Sequence, residues 1–129
     1  MRLCPVFLPV VVLGVMLETA HAAPATIEGS WSGSGIARYQ GRVDRLVCRV
    51  NFAQIGEKSF RVSALCSTGD RRYEQSGRVS SIGRNRYSGE VYNAQFNERG
   101  NVSVSQSGSR SSATISGDRG SANLILSRN

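Results

Sequence analysis

Histidine, cysteine and the carboxylates supply most catalytic and metal sites, and this chain is short of them: one histidine, three cysteines and nine acidic residues in 129. The histidine, His21, and one cysteine, Cys4, fall in an N-terminal stretch laid out as a leader. Arg2 gives a short positive region, Val6–Leu17 is apolar apart from Pro9 and Gly14, and Ala20-His21-Ala22 forms a small-x-small cleavage pattern. The apolar run is too short to cross a bilayer, which takes about 20 residues. Cys4 precedes that run, so no cysteine stands where lipoprotein processing needs one. We therefore expect a signal peptide over residues 1–22 and a mature chain from Ala23 with no transmembrane segment.

Without His21 the mature chain cannot assemble a Ser-His-Asp or Cys-His nucleophilic site. It also lacks the commonest transition-metal ligand. Paired-carboxylate hydrolysis needs two acids held across a cleft. Five of the eight remaining acids (Asp44, Glu57, Asp70, Glu98 and Asp118) instead sit in or beside predicted turns, where Asp and Glu act as solvated turn formers. We expect no enzyme, no metal and no cofactor. Gly29-Ser30-Trp31-Ser32-Gly33-Ser34-Gly35 is glycine-rich but lies in a predicted strand, with no helix N-terminus to receive a phosphate. The remaining cysteines, Cys48 and Cys66, read as a disulfide, since a small exported domain folds in an oxidising compartment.

The elements that carry these residues are strands. No stretch has helical periodicity; apolar and polar residues alternate in short runs punctuated by Gly, Asn, Asp and Ser. Eight strands are predicted, at about 30–40, 45–54, 58–68, 71–81, 86–92, 101–107, 110–116 and 121–127. Their registers follow from the turns. A Gly41–Asp44 turn sets Tyr39 opposite Leu46, Gly35 opposite Val50 and Gly33 opposite Phe52. A turn at Gly56-Glu57-Lys58 sets Cys48 opposite Cys66, and one at Gly69-Asp70 sets Cys66 opposite Tyr73. Later turns set Val79 opposite Gly89, Val104 opposite Ala113, and Ile115 opposite Ala122. Each hairpin places its apolar set on one face, and a slip of one residue would reverse every side chain. Only the connection across Asn93–Gly100 lacks a short turn to fix it.

The predicted fold is therefore all-β: an eight-stranded antiparallel up-and-down barrel with one disulfide, a two-sheet sandwich being the alternative. Residues 23–28 form a flexible N-terminal segment and 29–129 the barrel. Trp31, Tyr39, Phe52, Phe60, Tyr73 and Tyr87 point inward, opposed by Gly33, Gly35, Gly77 and Gly89, which favours a packed interior over a ligand cavity.

The remaining signal is charge. The chain carries +7, and losing Arg2 and Glu18 with the leader leaves that unchanged. Lys58, Arg84, Arg86, Arg110 and Arg128 gather at one end of the proposed barrel against only Glu28 and Glu57, and form the candidate anion-binding cluster. Nucleic acid is not expected, because no binding-module signature is present.

Gly29–Gly35, the Cys48/Cys66 pair, Tyr87-Ser88-Gly89 and Gly120–Ser127 together resemble a group of small exported, uncharacterised β-barrel proteins of Gram-negative bacteria. That resemblance implies a periplasmic location, with secretion as the alternative. A more distant likeness is to the periplasmic inhibitors of secreted metalloproteases, eight-stranded barrels whose N-terminal segment enters the protease cleft. It implies an inhibitory role for Ala23, Pro24, Ala25, Thr26, Ile27 and Glu28. The expected function is a non-enzymatic, exported binding or envelope-associated protein, with anionic envelope components or a protein as partner. Protease inhibition and small-ligand carriage in the barrel interior are the alternatives.

Overall fold

A computed structural model describes residues 26–129, together with Pro9 and Gly14. The leader expected over residues 1–22 and the cleavage site lie outside these residues, Pro9 and Gly14 excepted. Alternating sequence becomes eight strands: β1 (Gly29–Tyr39), β2 (Arg42–Gln54), β3 (Ser59–Ser67), β4 (Arg72–Gly83), β5 (Arg86–Asn93), β6 (Glu98–Ser107), β7 (Arg110–Gly117) and β8 (Gly120–Arg128). Each pairs antiparallel with the next, and β8 returns to β1 to close the barrel. Closure leaves no strand edge unpaired. The barrel, not the sandwich, is the fold.

Most of the expected registers are present. Cys48 faces Cys66, Cys66 faces Tyr73, Val79 faces Gly89, Val104 faces Ala113 and Ile115 faces Ala122. The β1–β2 hairpin differs. Tyr39 pairs with Arg42, Gly35 with Leu46 and Gly33 with Cys48, four residues from the register that a Gly41–Asp44 turn would impose. The turn is only Gln40-Gly41, both with positive φ (46° and 79°), as a two-residue type I′ hairpin requires. The β5–β6 connection is also tighter than the sequence suggests. Strand pairing continues to Asn93 opposite Glu98. The loop between them is held by the Phe96 backbone N–H donating to Asn93 Oδ1 at 3.2 Å.

The inward glycines have a more specific role than space-filling. A Cβ on Gly33 or Gly35 would overlap the β8 backbone, at the carbonyls of Ile125 and Asn123. A Cβ on Gly77 would strike the Glu90 carbonyl of β5, and one on Gly89 the Arg78 carbonyl of β4. Backbone, not an opposing aromatic ring, occupies the space. Glycine therefore bends the sheet sharply at two seams, β8–β1 and β4–β5, four strands apart around the barrel.

One end of the interior is solid. Trp31, Phe52, Phe60, Val62, Val79, Tyr87, Val104 and Leu126 are buried there, with Phe60 and Tyr87 edge-to-face at 5.5 Å. The segment before β1 completes this packing. Ile27 is fully buried; its N–H donates to the Tyr87 hydroxyl at 3.2 Å, and its carbonyl accepts from Trp31 Nε1 at 2.8 Å. Arg128 lies over the Trp31 ring at 4.4 Å and donates to the carbonyls of Thr26, at 2.7 Å, and Glu28. Gln106 Nε2 also donates to the Thr26 carbonyl, at 3.2 Å. Thr26–Glu28, grouped by sequence with a flexible segment, are thus part of the barrel's closed end; Ala23–Ala25 lie outside the described residues.

Gly33→Ala should abolish cooperative folding, because β8 cannot retreat without opening the seam. Gly69→Ala, in a turn with nothing near its Cβ position, should be neutral or gain up to about 1 kcal/mol. Urea denaturation of both variants checks the pair. Ile27→Ala should cost roughly 2–5 kcal/mol, read as a fall in thermal midpoint of roughly 4–8 °C per kcal/mol.

Candidate functional site

The other end is hollow. Up-and-down topology brings four turns together there: β1–β2, β3–β4, β5–β6 and β7–β8. Between them opens a cavity of about 570 Å³. Its wall combines small and branched apolar side chains, Ala37, Leu46, Val91, Ile115 and Ala122, with Cys66 of the disulfide and the amides of Gln75 and Asn93. The interior is therefore divided: aromatic rings fill one half, while alanines on β1 and β8, paired as Ala37 and Ala122, leave the other half open. The expectation of a packed interior holds for the closed end only.

The disulfide joins Cys48 and Cys66 across β2 and β3, with Cα atoms 4.1 Å apart. It ties β2 to β3 at the cavity wall. Closing an 18-residue separation should contribute on the order of 3 kcal/mol. Replacing both cysteines by alanine should lower unfolding free energy by about that amount, measured by urea titration against the oxidised protein.

Aromatic side chains sit at the mouth. Tyr73 and Phe96 pack at 5.6 Å between centroids, tilted by 40°. Tyr39, expected inward, is 36% exposed at the rim, and its hydroxyl donates to Glu98 Oε1 at 3.2 Å. Arg119 reaches the same carboxylate at 3.5 Å. A side-chain hydrogen bond with Tyr39 and the neighbouring Glu98 carboxylate push the Arg119 guanidinium pKa up from its ordinary value. Around the rim, Arg38, Arg42, Arg71, Arg99 and Arg119 stand against Asp44, Asp70, Glu98 and Asp118. The mouth is consequently polar yet nearly balanced in charge. Of the polar wall groups, Asn93 is buried and braces the Phe96 loop, while Gln75 Oε1 is buried without a partner among the described residues.

The candidate anion-binding residues lie elsewhere. Lys58, Arg84, Arg86 and Arg110 stand at the closed end, at or beside the β2–β3, β4–β5 and β6–β7 turns. Arg128 is at the same end, but its guanidinium is occupied by Trp31 and the two N-terminal carbonyls. Among the candidate inhibitor residues, Thr26, Ile27 and Glu28 are likewise engaged in the closed end. Phe96 and the hollow mouth were not evident in the sequence, because the Asn93–Gly100 connection offered no turn signature. No group of three His, Cys, Asp or Glu side chains among the described residues is placed to hold a metal.

These features define a class: a small, closed, eight-stranded antiparallel barrel with one plugged and one open end. Solved structures share the barrel fold. A redesigned β-barrel, mFAP1, bound to DFHBI, superposes with a TM-score of 0.68 at 11% identity, covering 78% of this chain and 94% of that one. A de novo designed fluorescence-activating β-barrel gives 0.64 at 14% identity, covering 85% and 99%. Rv2717c from M. tuberculosis gives 0.58 at 14% identity, covering 83% and 98%. No protein-family model and no curated protein matches the chain.

Proposed function

We propose that this chain is an exported, non-enzymatic barrel that binds a small molecule in its open end. The observation that carries the reading is the 570 Å³ cavity, walled by apolar side chains and mouthed by Tyr73 and Phe96. Binding sites for small molecules are commonly concavities of this size, apolar within and sparingly polar at the entrance. Eight-stranded barrels are wide enough to hold one such ligand, and the similar mFAP1 barrel is bound to one. The apolar part of the wall and the nearly balanced rim favour an uncharged ligand with an apolar body. Export is proposed from the leader pattern at residues 1–22, and a periplasmic destination from the resemblance to small exported barrels. An inhibitory role draws no support from Thr26–Glu28, whose carbonyls already face the barrel's own side chains.

The test uses N-phenyl-1-naphthylamine, an uncharged aromatic amine that brightens in apolar surroundings. Titration should give a saturable signal at one probe per chain. Ala122→Trp, which fills the cavity from β8, should abolish that signal while the thermal midpoint stays near that of the parent. Absence of saturable binding to the parent protein, or undiminished binding to a folded Ala122→Trp variant, would overturn the reading.

A further inference from the structure

The outer wall of β8, β1, β2 and β3 carries a feature that the cavity does not explain. Ile36, Val43, Val47, Leu65 and Ile125 all point outward and are between 41% and 59% exposed. The strand pairing joins them. Ile36 faces Arg45 on β2, so Val43 and Val47 are its diagonal neighbours; it faces Asn123 on β8, so Ile125 is diagonal on the other side. Leu65 faces Arg49, which makes it diagonal to Val47. Diagonal neighbours on one sheet face lie about 7–8 Å apart, within reach of branched side chains. Five aliphatic residues thus form one continuous oblique stripe across four strands.

Guanidiniums interleave with the stripe. Arg38, which also borders the cavity mouth, faces Val43, Arg45 faces Ile36 and Arg49 faces Leu65, all exposed. None has an ion-pair partner among the described residues. The one carboxylate bordering the stripe is Glu74, opposite Leu65; Asp44, between Val43 and Arg45 in sequence, lies on the cavity wall.

We infer that this face docks on the surface of an anionic phospholipid bilayer. Charge complementarity selects an anionic partner. Interleaving selects a lipid surface, because each arginine can lay its stem along an aliphatic neighbour while its head meets phosphate, and the aliphatic tips reach between headgroups. The stripe lies on the outer wall of the barrel, and an open depression bordered by Ser32, Arg49, Asn51, Ser63, Leu65 and Glu74 adjoins its β3 end. A second copy would bring the unpaired arginines of two identical faces together. Strand addition is unavailable, since the barrel has no edge. The inference is independent of the cavity's occupant.

Vesicle sedimentation tests it, with phosphatidylcholine alone and with phosphatidylcholine containing about one-third phosphatidylglycerol, at low and physiological salt. The parent protein should sediment with the anionic vesicles only, and less at higher salt. Ile36→Ser with Val47→Ser, which leaves the charge unaltered, should lower the affinity at least tenfold, as should Arg45→Gln with Arg49→Gln. Ile82→Ser, with a similarly exposed side chain on β4, and Arg84→Gln with Arg86→Gln should each change it less than twofold. Equal loss for all the arginine pairs, or no loss on removing Ile36 and Val47, would overturn the inference in favour of diffuse charge. Indifference to anionic vesicles with retention on an acidic-peptide resin would overturn it in favour of a protein partner.

Discussion

The structure depends on how closely β1 can approach β8. Their pairing runs from Trp31 opposite Arg128 to Tyr39 opposite Gly120, and it closes the barrel only because Gly33 and Gly35 let the β8 backbone occupy the space of a side chain. Gly77 and Gly89 allow the same approach between β4 and β5. Sharp bends at seams half a circuit apart give the wall an uneven curvature. Between the bends the interior must be filled by side chains, and it is filled unequally.

The closed end is filled by what lies just outside β1. Trp31 enters the interior at the start of the strand and fixes the carbonyl of Ile27. That turns the preceding residues inward, where Tyr87, Gln106 and Arg128 meet their remaining backbone groups. Buried backbone groups must find partners, and three distant strands supply them. Arg128 joins the two ends of the described chain: it sits at the end of β8, stacks on the first aromatic of β1, and holds the segment before it. Among the described residues no segment folds in at the opposite end, and Ala37 and Ala122 leave the space that becomes the cavity.

Much of this was legible in the sequence. The strand number and most hairpin registers followed from alternation and turn residues, and so did the pairing of Cys48 with Cys66. The β1–β2 register was misread for a definite reason. Gln40-Gly41 makes the turn without the Asn-Gly or Asp-Gly signature, while Gly41-Arg42-Val43-Asp44 imitates one. A shift of four residues keeps every side chain on its proper face, so alternation could not reveal the error. The outward stripe depends on that same register: Ile36 becomes diagonal to both Val43 and Val47 only when it faces Arg45. The hollow end was hidden for another reason. It arises from contacts between β1 and β8, nearly a hundred residues apart, and from a loop around Phe96 that local pattern does not specify. Grouping Thr26–Glu28 with a free segment was reasonable from composition. Its correction needed the position of Tyr87 and Arg128 in space.

One interior is dry and solid at one end and open to solvent at the other. Nuclear Overhauser contacts between water and side-chain methyl groups read this directly. Water contacts are expected at Ala37, Ile115 and Ala122, which line the cavity, and none at Val79, Val104 and Leu126, packed around the plug. Methyl groups equally dry at both ends, or water reaching those around Trp31, would contradict it.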